Sequence, residues 1–222
     1  MKKSVTLTIC LLIFPVLVYS QDASDASRQN QEAAQQLADM LQDMRTLSAT
    51  VEVLTLGQDG REIQESESRL IMQKPDHFSW ETLSPYADLM LTDGKRIWRV
   101  EYDLDQVTIE PFSDDVSRTP ILLLNGDANA IAETYTVSAS AMGSDAGSIQ
   151  GFILYPSTPD NLFERLSLTF DDRVLQEMQF EDSLGQKTSL TFIDPEVNGV
   201  IDPEVFVFHM PEGLELIDNT GE

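Results

Sequence analysis

Only one cysteine occurs in the 222 residues, Cys10, and it lies inside an apolar run from Leu7 to Val18. That run follows Lys2 and Lys3, is broken by Pro15, and ends before the small residue Ser20. It falls short of the roughly 18 apolar residues a spanning helix needs, so residues 1–20 are expected to be a secretory signal peptide cut after Ser20. Cys10 would leave with the signal, which excludes a disulfide framework and a thiol nucleophile in the mature chain. It is also badly placed as a lipid-modified first residue, because apolar residues continue after it. About 200 residues can bury enough core without disulfides, so residues 21–222 are expected to form a single soluble domain.

Basic residues are scarce as well: 14 lysines and arginines stand against 38 aspartates and glutamates, for a net charge of −24 that becomes −26 without Lys2 and Lys3. A surface this acidic repels phosphate backbones and anionic bilayers, which argues against nucleic-acid binding and charge-driven membrane docking. A basic protein partner and solubility in a salty medium both remain open.

Catalytic motifs are missing too. The sequence has no Gly-x-Ser-x-Gly elbow, no His-Glu-x-x-His and no phosphate-cradling glycine loop. The two histidines, His77 and His209, alternate with Phe78 and Phe208, which predicts exposed sheet-face positions rather than ligands. Acidic neighbours such as Asp103 with Asp105, or Asp114 with Asp115, are what an acidic chain contains by chance and read as solvated loops. A calcium loop would need a glycine and a distal glutamate that Asp103 and Asp105 lack. No enzyme activity, metal or cofactor is expected.

What remains is apolar patterning. Residues 21–30 are polar and expected to be mobile, after which Ala33, Leu37, Met40, Leu41, Met44 and Leu47 line one face of a helix predicted over 31–47. Short strands are predicted near 49–56, 63–73, 77–82, 87–92, 95–102 and 106–112, and again near 134–142, 149–155, 163–171, 174–182, 187–193 and 204–210. Gly57 to Gly60, Asp93-Gly94, Asp171-Asp172 and Leu184-Gly185 supply the turns. Leu166, Leu168 and Phe170 share a face, as do Met178 and Phe180, Leu190 and Phe192, and Phe206 and Phe208; Ser167, Thr169, Gln179 and Thr191 point the other way. An antiparallel sheet with one apolar face needs a covering layer. Two short helical pieces between the strand series, over 119–133, offer part of one: Thr119 suits an N-cap, Pro120 the first helical turn, and Ile121 to Leu124 a plug. Phe78, Trp80, Leu89, Leu91 and Trp98, in successive strands, read as an apolar wall.

Five motifs in order carry a resemblance: Lys-Pro-x-x-Phe-x-Trp over Lys74 to Trp80, Asp-Gly-Lys-x-x-Trp over Asp93 to Trp98, Leu-x-Gln-Val-Thr over Leu104 to Thr108, Thr-Pro-x-x-Leu-Leu over Thr119 to Leu124, and Asp-x-x-Gly-Gln-x-Thr over Asp182 to Thr188. With Phe-x-Phe-x-x-Pro over Phe206 to Pro211 and the following Glu212-Gly213, the sequence resembles the LolA family of periplasmic carriers of outer-membrane lipoproteins. The resemblance implies a mainly β fold, an unclosed antiparallel β-barrel of about eleven strands with an α-helical lid over an apolar cavity. It implies a monomer in the periplasm of a Gram-negative bacterium. Its partners would be acylated lipoproteins, an inner-membrane ABC transporter that releases them, and an outer-membrane receptor. By position, the lipid-binding wall would be Leu70, Met72, Phe78, Trp80, Leu89, Leu91, Leu154, Met178, Phe180 and Phe192, with Ile121, Leu122 and Leu124 on the lid. The residue before Pro75, commonly an arginine that holds lid carbonyls in the family, is here Lys74, which has fewer donors on a more flexible stem. The alternative is a lipid- or lipoprotein-sensing regulator of the same fold, although such proteins usually carry a second domain. An acylated receptor would need a cysteine where Gln21 stands.

Overall fold

The computed structural model describes residues 21–112, 123–124, 131, 134–141, 149–158 and 163–221. The expected signal peptide, Asp114, Asp115 and the start of the expected lid, including Ile121 and Leu122, lie outside them.

Helix α1 spans Gln21–Asp43, ten residues longer at its start than the stripe predicts. The extension mixes Gln, Ala and Arg with Ser, Asp and Asn, and residues 25–29 are exposed. Ala33, Leu37, Met40 and Leu41 are all buried along one face of α1, with Met44 just beyond it. The helix stops at Asp43, and Leu47, expected on the same face, belongs to the sheet as part of β1 (Thr46–Leu56).

The sheet continues with β2 (Glu62–Gln73), β3 (His77–Ser84), β4 (Asp88–Asp93), β5 (Arg96–Glu101) and β6 (Gln106–Pro111). It is completed by β7 (Tyr135–Ala141), β8 (Ile149–Pro156), β9 (Phe163–Asp171), β10 (Val174–Asp182), β11 (Lys187–Val197) and β12 (Glu215–Asp218). These twelve form one sheet in the order β12-β6-β5-β4-β3-β2-β1-β11-β10-β9-β8-β7, with two open edges, so it does not close into a barrel. Antiparallel pairs build all of it except β12–β6, which is parallel. The turns fall where the glycines and aspartates put them. In the β4–β5 turn Gly94 has φ +84, and a Cβ there would meet the Asp76 Cβ at 2.8 Å. Near the middle, the β1–β11 register shifts between Ser48 and Thr50 opposite Asp194, whose φ is +48, a bulge of the kind that increases local twist and bends a strand.

Twelve strands stand where about eleven were expected, and one predicted strand is absent. Residues 204–210 are a 3-10 turn (Pro203–Phe206) followed by irregular chain, started by Asp202, whose carboxylate accepts from the Glu204 amide at 3.0 Å. The final strand is instead Glu215–Asp218, held to β6 with the help of Glu215 N–H donating to the Asp105 carbonyl at 2.7 Å.

The sheet is covered on both faces. The inner face, under α1, carries the main core: Leu70, Met72, Phe78, Phe152, Leu154, Leu166, Leu168, Phe170, Met178, Leu190 and Phe192 join the buried side of α1 in one cluster. A second cluster lies on the outer face of β3–β6, where Leu91, Trp98, Val100 and Val107 are covered by Phe206, Phe208 and Leu214 from the C-terminal segment. Phe206 and Phe208 therefore share a face as their alternation predicts, but it is the outer one.

Candidate functional site

The inner face is a patch of apolar side chains with α1 lying on it, and the register of the strands decides which residues belong to it. On β3, Phe78 and Trp80 point inward; they pair with Thr92 and Met90 of β4, so those two share their face. Leu89 and Leu91 pair with Glu81 and Ser79 and therefore point outward. The structure takes both leucines off the expected wall and places them in the outer cluster with Trp98. Met90, which the sequence reading leaves out, packs against the inner core instead.

Of the other expected wall residues, Leu70, Met72, Phe78, Leu154, Met178 and Phe192 are buried together on the inner face, and Trp80 and Phe180 are half-buried against them. Phe78 stacks on Trp80 with ring centroids 6.4 Å apart, and Phe163 lies between Tyr135 and Phe180 at 6.4 and 6.5 Å. From the expected lid, Leu124 is buried in the same cluster beside Leu123, and Ile131 joins them. Helix α1, with Leu123, Leu124 and Ile131, covers the apolar side chains of the strands.

Polar contacts concentrate at one end of α1. Lys74, half-buried at the foot of β2, donates from Nζ to the Leu41 carbonyl at 2.5 Å, in the last turn of α1; most of the segment 119–133, where the resemblance put the latch, lies outside the described residues. A cation at that end of a helix also offsets the partial negative charge of its unpaired carbonyls. Asn198, in the left-handed region with φ +61, donates to the Asp43 carbonyl at 2.9 Å and accepts from the Arg45 amide at 2.8 Å. Arg173, from the β9–β10 turn, meets the Asp43 carboxylate at 2.6 Å. Around Lys74 a cleft of about 540 Å³ is lined by Arg45, Thr46, Gln73, Pro75, Asn198 and Gly199. Sequence reasoning missed Asn198 because its partners are more than 150 positions away.

The histidines take no part in the inner face. His77 is half-buried, not exposed, with its ring edge-on to Phe206 at 5.2 Å, while His209 is exposed, 3.3 Å from Glu204. Asp103 and Asp105 sit exposed in the β5–β6 turn. No helix among the described residues is long and apolar enough to cross a membrane.

A family model described as outer membrane lipoprotein carrier protein LolA matches residues 42–209. The outer-membrane lipoprotein carrier protein of Chromohalobacter salexigens is 39% identical over 188 residues, covering 85% of this chain and 88% of that protein. Its counterpart in Pseudomonas aeruginosa is 33% identical over 202 residues, covering 91% and 95%. Among solved structures, an uncharacterized conserved protein from Thermus thermophilus matches with a TM-score of 0.51 at 13% identity, over 90% of this chain and 100% of that one, a likeness of fold alone.

Proposed function

The chain belongs to the LolA family of outer membrane lipoprotein carrier proteins, and from that premise we propose that its inner face shields the acyl chains of lipoproteins on their way across the periplasm. The protein acts as a carrier and not as a catalyst: it accepts lipoproteins released from the inner membrane by an ABC transporter and passes them to a receptor at the outer membrane. The observation that carries this reading is the continuous apolar inner face, from Leu154 through Met178 and Phe192 to Met72 and Phe78, covered by a separate helix rather than by a second sheet.

The energetics explain why a cover is needed. Burial is worth about 0.8 kcal/mol per methylene, so a triacylated anchor with on the order of 40 methylenes would cost roughly 30 kcal/mol unshielded in water. A face that recovered all of that could never release its cargo. Packing of α1 and the lid residues against the same face offsets part of it, because cargo must displace them before it binds. The test is mass spectrometry of the protein purified from the periplasm. An N-terminally acylated lipoprotein should accompany it; absence of any acylated cargo, together with failure to bind a fluorescent fatty acid, sinks the reading.

Lys74 sets how firmly the cover closes. Lys74→Leu leaves the Leu41 carbonyl without its cation, a loss of about 1–3 kcal/mol of closing free energy. Since closing drives release, hand-over to the receptor should slow by about tenfold for each 1.4 kcal/mol lost, while loading is unchanged or faster. A transfer assay in which the variant delivers lipoprotein as fast as the parent would remove Lys74 from this role.

A further inference from the structure

The grip of α1 on the sheet is uneven along its length. Toward its C-terminal end the buried side chains are large, Leu37, Met40 and Leu41, and beyond them Asn198 and Arg173 tie Asp43 and the adjoining Arg45 to two separate strand ends. Toward its N-terminal end the buried side chains are alanines, Ala33 and Ala34, and residues 25–29 are exposed. A methyl group withdraws from an apolar surface at a small fraction of what a leucine or methionine costs. Between this half and β7 runs a slot of about 420 Å³, with Ser27, Asn30, Gln31 and Ala34 on the helix side and Tyr135, Thr136 and Val137 on the strand side.

The position of the slot gives it a use. β7 is the edge of the sheet, so the slot opens at a margin where the inner face ends. Two of its walls, Tyr135 and Val137, are themselves members of the inner cluster, with Tyr135 stacked on Phe163 and Phe163 next to Phe180. Past the polar rim of Ser27, Asn30, Gln31 and Thr136, an acyl chain entering there would meet Tyr135, Phe163 and Phe180 in turn. The geometry points to the slot between the N-terminal half of α1 and edge strand β7 as the port through which acyl chains reach the inner face, with α1 pivoting on its pinned C-terminal end. This rests on the carrier reading above and adds the route to it.

Cross-linking tests the route. In the mature chain, which loses Cys10 with the signal, Asn30→Cys with Thr136→Cys is bridged across the slot by a short, reductant-cleavable bismaleimide. Asp43→Cys with Arg173→Cys is bridged in the same way at the pivot. Uptake of a fluorescent long-chain fatty acid should fall at least tenfold in the slot-bridged protein and return when the bridge is cleaved, while the pivot-bridged protein binds as the unbridged parent does. Recovery on cleavage shows that the loss came from the bridge and not from misfolding. Normal uptake with the slot bridged overturns the port and leaves the carrier reading intact, as does equal loss from both bridges, which would mean that α1 also has to move at its C-terminal end. A parent that binds no fatty acid overturns the carrier reading, and the port with it.

Discussion

Leu37→Ala is expected to lower the stability of the empty protein by about 2–5 kcal/mol and, against the usual direction for a core mutation, to tighten its hold on an acyl chain. Leu37 is 0% exposed on α1, buried against the inner face. If that face binds cargo only when α1 withdraws, the apparent affinity equals the intrinsic affinity scaled by the fraction of molecules that are open. Removing three carbons from the cover weakens the closed form, while the strand side chains that would touch an acyl chain are unchanged. The gain is about tenfold for each 1.4 kcal/mol that falls on closing, and it ends once the open form dominates. Urea unfolding gives the first quantity and titration with a fluorescent fatty acid the second, on the same preparation. Lower stability with unchanged or weaker binding would mean that α1 is permanent core, and that the inner face is an ordinary interior.

Much of this arrangement is legible in the sequence, because both periodicities are strong. The helix stripe from Ala33 to Met44 names the buried side of α1, and strict alternation in β9, β10 and β11 names their inner residues. Alternation falters at β4, where Leu89, Met90 and Leu91 are all apolar and either parity fits. The phase is fixed only by the pairing of Trp80 with Met90, and cross-strand register is not written in any one strand. Hydrophobicity alone favours the two leucines for the wall. It misleads here because β4 is apolar on both sides, and the C-terminal segment that covers its outer side reads as a strand. Phe206, Phe208 and Met210 alternate as a strand would, but Pro203 and the Asp202 cap turn the chain into a 3-10 turn that lays Phe206 and Phe208 across the sheet.

The same limit applies to the pins of α1. Nothing in the sequence around Asn198 marks it, since its use depends on the β11 end coming back to the start of β1, where its own amide also donates to the Thr46 carbonyl at 3.0 Å. The left-handed backbone at Asn198 is a local cue, because asparagine tolerates φ +61 better than most residues, but a turn would have explained it equally well. Lys74 is visible because it stands in a motif. Its contact with the Leu41 carbonyl is not, because that carbonyl belongs to a helix 33 positions earlier and no motif joins the two.

Trp98→Ala separates the two faces. Trp98 is 8% exposed on the outer side, stacked on Phe208 with centroids 5.4 Å apart, and its removal should cost about 3–5 kcal/mol, as much as Leu37→Ala. Its effect on acyl binding should nevertheless be nil. The side chain packs between the sheet and residues 206–214, and neither α1 nor the inner cluster touches that side, so open and closed forms lose the same amount. A mutation that shifts both states equally cannot move the equilibrium between them, whatever it does to global unfolding. Paired with Leu37→Ala, it makes loss of stability a controlled variable: two proteins of similar fragility, only one with altered affinity. If Trp98→Ala also tightens or weakens binding, the outer cluster is coupled to the inner one through the strands they share, and the C-terminal segment takes part in opening. Leu91, which pairs with Trp98 on the same face, would then show the change as well.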